Sequence, residues 1–207
     1  MKFKNIVPVI VLCLGMLNAC GAARSSKFYQ LTVPSDRAST EDQSFPVTLL
    51  LGPIASSHLY RDDHIVYTSN GQAMGTYEYQ RWAEPPTEMI ADVLLRELRV
   101  SGRYQHVYSL RSGARGDYLL RGQLYDFREI SGNGVAARVA FEFELRDSKT
   151  GIAVWSHSYL HDEAVIGKDV NSVVAALDRN VQSGLIEIMT ALDDYFSAHA
   201  QAGSAAH

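Results

Sequence analysis

Two histidines and two aspartates fall within one short segment of the chain. His58 and His64 flank Asp62 and Asp63, and imidazole and carboxylate groups together can bind a metal ion or exchange protons. The adjacent aspartates lack the alternating spacing of oxygen ligands in a calcium loop. No second His/Glu pair at helical spacing is present to complete a zinc site. The pattern therefore favours an exposed polar loop over a metal or acid–base site.

A second histidine pair, His157 and His161, lies in a segment with strand character. At about 3.3 Å per residue the two imidazoles lie roughly 13 Å apart, too far to share a metal. The sequence has no Gly-x-Ser-x-Gly nucleophile motif, phosphate-binding glycine loop or dinucleotide fingerprint. We therefore predict a protein that is not an enzyme, with no catalytic residues, metal or cofactor, and with a binding or structural role at a membrane surface.

The chemistry that the sequence does predict is acylation of Cys20. Lys2 and Lys4 give a positive start, residues 6–17 are apolar, and Ala19 is the small residue before Cys20. This order is typical of a bacterial export signal, and the apolar run is shorter than the ~20 residues of a membrane-spanning helix. Segment 17–20 (LNAC) resembles a lipobox, in which the cysteine thiol is lipidated. An ordinary signal peptide that happens to contain a cysteine is the alternative.

Charge and cysteine content exclude several functional classes. The formal charge of −4 becomes −6 when Lys2 and Lys4 leave with the signal, so the exported domain has no general basic surface for nucleic acid. Cys13 also leaves with the signal, and Cys20 carries the lipid. The mature domain therefore has neither a disulfide nor a catalytic or metal-binding thiolate, and hydrophobic packing must hold it together.

Hydrophobic periodicity predicts an α+β fold with a mainly antiparallel sheet covered by two helices. Alternating apolar residues and turn signals predict strands at 28–33, 47–51, 64–68, 74–79, 105–110, 117–129, 137–147 and 152–160. Segment 117–160 should form a meander, and Gly52-Pro53 should end the second strand. One helix should begin at Pro85-Pro86. A longer C-terminal helix should begin near Asp169 or Asn171 and lie on the sheet, although its apolar stripe is also compatible with a coiled coil.

These elements divide the chain into four parts. Residues 1–19 are predicted to be the signal peptide, and 20–27 the lipidated cysteine with a short tether. Residues 28–196 should form a single periplasmic domain, since 188 residues remain after cleavage and one core can serve a chain of that length. Residues 197–207, rich in Ala, Gly and His, are predicted to be a flexible tail.

Four segments, in order along the chain, resemble the ABC-type transport auxiliary lipoproteins, a family that includes PqiC-like outer-membrane lipoproteins. They are 28–31 (FYQL), 51–54 (LGPI), 59–66 (LYRDDHIV) and 81–85 (RWAEP). The resemblance implies a non-catalytic lipoprotein that faces the periplasm beside an inner-membrane transport system. MCE-type proteins of such systems bridge the envelope and move lipids or other hydrophobic molecules, which maintains membrane integrity. Gly21 is compatible with outer-membrane delivery, because the usual inner-membrane retention signal is an aspartate there.

Four residues are candidates for binding a protein partner: Tyr60, Arg61, Arg81 and Trp82. Tryptophan and arginine are enriched in binding hot spots, but Trp82 could equally fill the core while Arg81 pairs with Glu84. The expected partners are the outer-membrane lipid, through palmitate or another acyl chain on Cys20, and an MCE-type transport protein; a homo-oligomer is left open. A lipoprotein that scaffolds or regulates cell-wall synthesis is the alternative function, since the same anchor and fold would serve it.

Overall fold

The computed structural model describes residues 25–33, 44–69, 72–132 and 134–204. The predicted signal peptide, Cys20 and part of the tether lie outside these residues. The strands are β1 (Lys27–Tyr29), β2 (Phe45–Ser56), β3 (His64–Ser69), β4 (Ala73–Trp82), β5 (Tyr104–Ser109), β6 (Tyr118–Ser131), β7 (Val135–Asp147) and β8 (Ala153–Ala164). The α-helices are α1 (Pro86–Val100) and α2 (Val170–Ser204). The α+β class and the two helices, the longer one C-terminal, are confirmed.

The prediction of a mainly antiparallel sheet is wrong, because the eight-stranded sheet is mixed. β6 is paired antiparallel with β7 along one edge, and β7 with β8, so the predicted meander is confirmed. On its other edge β6 is paired in parallel with β2 over its first half and with β3 over its second half. The β3–β4 hairpin is antiparallel, whereas β1 on β4 and β5 on β2 are parallel. Alternating hydrophobicity identifies a half-buried strand without fixing its direction.

Helix α1 accounts for part of this parallel pairing. A parallel neighbour requires a crossover connection, usually helical, and the chain passes through α1 before β5 returns beside β2. Pro86 occupies the first turn of α1, where its missing N–H is not needed. The apolar face of α1, which includes Ile90, Leu94 and Leu98, is buried in the common core.

Strand β2 does not end at Gly52-Pro53 as predicted. It continues to Ser56, and its register with β6 shifts by one residue between Leu51 and Ile54. A bulge leaves one residue without a partner in the ladder, which accommodates a proline that cannot donate a hydrogen bond. The strand therefore delivers the chain to the loop before β3, where the candidate residues lie.

Helix α2 packs on β7 and β8 with its apolar stripe. Eight residues of the stripe are buried: Val173, Val174, Leu177, Val181, Leu185, Ile188, Leu192 and Phe196. Asp169 caps the helix, with its carboxylate accepting a 2.9 Å hydrogen bond from the Ser172 N–H. The predicted position on the sheet is therefore confirmed. None of the helices within the described segments is both long and apolar enough to cross a membrane.

The C-terminal helix extends further than predicted. The sequence placed its end at Phe196, before a tail over 197–207, whereas α2 continues to Ser204. Alanine and glutamine are strong helix formers, and the Ser197 hydroxyl donates to the Asp193 carbonyl at 2.8 Å within this turn. Residues 197–204 therefore belong to the helix.

Candidate functional site

The candidate residues meet at a loop between β2 and β3, which we call the Arg61 loop (residues 57–63). A short 3₁₀ turn over His58–Tyr60 begins it, with the Tyr60 N–H donating to the Ser57 carbonyl at 3.2 Å. The end of β4 adjoins the loop because β3 is paired with β4 so that His64 lies opposite Arg81. The fold thus brings Tyr60, Arg61, Arg81 and Trp82 to one region.

Tyr60 is buried rather than presented to a partner. Its side chain is only 2% exposed, and its hydroxyl donates to Asp126 Oδ1 on β6 at 3.2 Å. Burial is the main cause that raises the pKa of Tyr60 to about 12. The prediction of Tyr60 as a side chain for partner contact is therefore corrected. Its ring fixes the Arg61 loop to the sheet, and the hydroxyl needs Asp126 because a buried donor without an acceptor is costly.

Trp82 is also part of the core. It is fully buried (0% exposed) and packs on Phe127 with ring centroids 5.1 Å apart. Its backbone N–H donates to the Asp63 carbonyl at 2.7 Å, which ties the end of β4 to the loop. The structural alternative for Trp82 therefore fits the structure, because a partner cannot reach the indole ring.

Arg81 pairs with Asp63 instead of Glu84, the partner expected from sequence proximity. Its Nη1 lies 2.8 Å from Asp63 Oδ1, and both side chains are about one-third exposed. The register of the β3–β4 hairpin places Arg81 beside the loop. The ion pair therefore joins β4 to the Arg61 loop.

Asp62, Asp63 and His64 form the closest group of potential metal ligands in the described segments, with ligand atoms within 4.8 Å of one another. His64 Nδ1 lies 2.9 Å from Asp62 Oδ1, and Arg81 already neutralises Asp63. Partial burial raises the pKa of Asp62, but hydrogen bonds from His64 lower it by more, so it lies below its usual value. The group is a network of ion pairs and hydrogen bonds, in agreement with the polar loop that the sequence favours.

Arg61 is the candidate residue that the structure leaves exposed. Its Nε donates a long 3.4 Å hydrogen bond to the Ser56 carbonyl, which orients the guanidinium beside the end of β2. Guanidinium groups bind carboxylates with two parallel hydrogen bonds. Arg61 can therefore pair with an acidic group on another molecule, supported by a loop that Tyr60 and Asp63 fix in place.

The histidines of β8 lie apart from this loop. His157 Nε2 lies 2.8 Å from Glu187 on α2, whereas His161 Nε2 lies 3.8 Å from Glu163 on its own strand. Each imidazole has a different carboxylate partner.

Two supporting residues were missed in the sequence. Asp126 accepts the hydrogen bond from the Tyr60 hydroxyl and forms an ion pair with Arg128, whose Nε lies 3.2 Å from Asp126 Oδ1. Asn180 is 1% exposed; its amide donates to the Ala137 carbonyl at 2.8 Å and accepts from the Tyr159 hydroxyl at 2.7 Å. Asn180 had a signal, since it is a polar residue beside the apolar stripe of α2. No sequence signal identified Asp126, because its role depends on the register between β3 and β6.

The fold and the loop define a small α+β domain whose polar cluster is occupied by internal ion pairs. The family model of the ABC-type transport auxiliary lipoprotein component matches residues 29–188. The chain therefore belongs to this family, and the resemblance seen in the sequence is confirmed. Membership identifies it as an auxiliary component of transport, which implies a role without catalysis, and as a lipoprotein associated with the cell envelope.

Solved structures share this fold at low sequence identity. Protein XCC0632 from Xanthomonas campestris, of the DUF330 family, superposes with a TM-score of 0.74 at 20% identity, over 84% of this chain and 99% of that chain. An uncharacterized protein gives 0.64 at 15% identity, over 82% and 99%. The hypothetical protein CT253 from Chlamydia trachomatis gives 0.53 at 6% identity, over 74% and 99%. A search of curated proteins finds no significant match.

Proposed function

We propose that the protein is a non-catalytic outer-membrane lipoprotein that serves an envelope-spanning transport system for lipids or other hydrophobic molecules. The match to a transport auxiliary lipoprotein component over residues 29–188 is the observation that carries this proposal. The sequence adds the lipobox at Cys20 and Gly21 directly after it. In this arrangement the acylated cysteine holds the domain on the periplasmic face, and an MCE-type protein from the inner membrane is its partner.

The contacts within the Arg61 loop favour binding of a partner over catalysis. The carboxylates of Asp62 and Asp63 are engaged by His64 and Arg81. A general acid or base must reach a proton on the substrate, whereas these groups already stabilise the loop. Arg61, exposed on the same loop, has the chemistry to pair with an acidic group of a partner. The loop is therefore our candidate for the docking site.

The anchor is tested by replacing Cys20. Cys20→Ala should abolish labelling with radioactive palmitate and leave an unprocessed precursor, because only the thiol can accept the lipid. Cys13→Ala is the matched control, since that cysteine lies within the predicted signal peptide and should leave labelling unchanged. Normal palmitate incorporation in Cys20→Ala would contradict the lipoprotein assignment of this residue.

The partner is tested by cross-linking in intact cells. A photo-reactive amino acid at Arg61 should capture an MCE-type periplasmic protein, identified by mass spectrometry. The same probe at Lys149, exposed in the hairpin between β7 and β8, should capture far less of it. Capture of cell-wall synthesis proteins from Arg61, with no transport protein, would overturn the proposal in favour of the scaffold alternative.

A further inference from the structure

One end of the sheet lies next to Lys27, at the start of the first described strand, and strand register defines this end. Ala136 on β7 is paired with Ile130 on β6 and with Ala164 on β8, so the three residues form one row across the sheet. Just beyond the row lies the loop that connects β8 to α2, residues 165–169. Lys27, at the start of β1, lines the same cavity as Gly167 and Lys168 of this loop. We call this region the anchor-proximal end.

The cavity at the anchor-proximal end has a volume of about 390 Å³ and two lysines at its wall. Lys27, Lys149 and Lys168 are the three lysines in the described part of the chain, so two of the three lie here. Neither Lys27 nor Lys168 forms an ion pair with another described residue. Their ammonium groups are therefore available to an anion from outside the domain.

The two carboxylates at this cavity keep their charge but are held in place by hydrogen bonds within the protein. Glu129 accepts hydrogen bonds from the Tyr77 hydroxyl at 2.6 Å and from the Ser131 hydroxyl at 2.7 Å. Asp169 accepts from the Ser172 N–H at the start of α2. Because these contacts fix both acids, the lysines are the groups that can turn toward an external phosphate.

Ile166 projects from the same loop and is 86% exposed, the largest exposed fraction among the large apolar side chains of the described residues. Lys168 follows it by two positions. An apolar side chain with adjacent lysines is typical of surfaces that lie in the interfacial region of a bilayer, where the apolar group enters and lysines meet phosphates. Protein interfaces, in contrast, are depleted in lysine.

The short segment between Cys20 and Lys27 keeps the bilayer close to the anchor-proximal end. Cys20 precedes Lys27 by seven residues, and seven extended residues reach at most about 25 Å. This step rests on the proposed function, since it takes Cys20 to be acylated. A domain on so short a tether remains beside the membrane, so a lipid surface is the nearest large anionic partner for Lys27.

We propose that the anchor-proximal end docks onto the lipid bilayer that holds the anchor. In this position Ile166 inserts among the acyl chains, and Lys27 and Lys168 bind lipid phosphates at the mouth of the cavity. Docking would fix the orientation of the domain, which the acyl chains alone do not.

A fluorophore on a single cysteine tests this orientation. The mature chain has no cysteine other than Cys20, so Ile166→Cys and Ile152→Cys each give one thiol for labelling with the environment-sensitive dye NBD. Ile152 is the matched control: it is 63% exposed but precedes the other end of β8, roughly 40 Å away at ~3.3 Å per residue. The labelled, lipidated proteins are reconstituted in phosphatidylethanolamine–phosphatidylglycerol vesicles that contain a nitroxide-labelled lipid.

We expect the nitroxide to quench NBD at residue 166 at least twofold, with a blue-shifted emission, and to leave NBD at residue 152 unquenched. The double change Lys27→Glu and Lys168→Glu should remove most of the quenching at 166, whereas Lys149→Glu should not. Co-flotation without quenching at 166, equal quenching at both positions, or quenching that survives the double reversal would overturn docking while leaving the anchor intact. Loss of co-flotation would overturn the anchor, and docking with it.

Discussion

At the scale of single residues, the hydrogen bond from Tyr60 to Asp126 fixes the Arg61 loop to β6. Tyr60→Phe keeps the buried ring but leaves Asp126 without this donor, so the free energy of unfolding should fall by about 1 kcal/mol. For a domain of this size that corresponds to a Tm lower by about 2–4 °C in a calorimetric melt. Tyr125→Phe is the control, because its hydroxyl donates to Glu142 in an exposed position. An unchanged Tm for Tyr60→Phe would contradict this role.

The ion pair between Arg138 and Asp162 predicts a pH dependence. The guanidinium makes two 2.7 Å hydrogen bonds to the carboxylate across β7 and β8, and these bonds hold the pKa of Asp162 below its ordinary value of 3.8. A lowered pKa in the folded state stabilises the protein above the ordinary value, and this stabilisation is lost as the pH falls below it. The Tm of Asp162→Asn should therefore be lower than that of the unmodified protein near pH 7 and converge with it near pH 2.

The magnitude of this effect should be small, less than about 1 kcal/mol, because the Asp162 side chain is 41% exposed and the pair is screened by water. Asp194→Asn, on an exposed part of α2, is the control and should show no such convergence. A Tm difference for Asp162→Asn that stays constant across this range would show that the ion pair contributes nothing.

Single-residue roles were predictable only where local sequence determines them. The Asp169 cap and the left-handed Gly151 in the β7–β8 hairpin follow from residue type and position, and both are present. The partners of Tyr60 and Arg81 depend on which strands are adjacent and in what register, and no local pattern encodes that. The residue type of Tyr60 suggested contact with a partner, and its burial shows that this prediction was wrong.

At the scale of elements, Gly184 lies where α2 packs tightly against the sheet. A Cβ at this position would lie 2.6 Å from Phe141 and 2.7 Å from Tyr159, closer than such atoms can pack. Helix propensity alone predicts that Gly184→Ala stabilises the helix by about 1 kcal/mol. We expect the steric overlap of the added Cβ with Phe141 and Tyr159 to outweigh the gain in helix propensity, since forcing extra volume into a packed core costs about 1–3 kcal/mol.

Thermal unfolding followed by circular dichroism distinguishes these two outcomes. Gly184→Ala should lower the Tm, whereas Ser183→Ala, on the exposed neighbouring position, should leave it unchanged or raise it slightly. A raised Tm in Gly184→Ala would mean that α2 lies further from β7 and β8 than described.

The elements themselves were largely predictable, and their arrangement was not. The apolar stripe of α2 and the alternation in β7 are long, regular patterns, and both elements are present, although α2 continues beyond its predicted end to Ser204. The parallel pairing of β6 with β2 and β3 joins segments far apart in sequence. Hydrophobic alternation is the same for either strand direction, so the sequence pattern could not exclude the antiparallel alternative.

At the scale of the whole molecule, α2 connects regions that lie far apart on the sheet. Near its start Asn171 contacts the Tyr29 hydroxyl of β1 at 3.0 Å, and near its end Phe196 packs against Phe45 and Tyr104. Both β1 and the distant starts of β2 and β5 are therefore held by one helix. This continuity makes the domain a single unit that a lipid anchor can position.

Binding of a transport partner at the Arg61 loop predicts that a substitution of Arg61 impairs function without lowering stability. Arg61→Glu reverses the charge of an exposed side chain whose hydrogen bond to the Ser56 carbonyl is long, so the Tm and palmitate labelling should not change. If Arg61 pairs with an acidic group of a transport partner, recovery of that partner should fall about ten- to a hundredfold, the loss expected at a binding hot spot. The variant should also fail to restore envelope-stress resistance in a strain that lacks the protein. Arg115→Glu, a charge reversal of another exposed arginine outside the loop, should restore it. Full complementation by Arg61→Glu would exclude the Arg61 loop as the docking site.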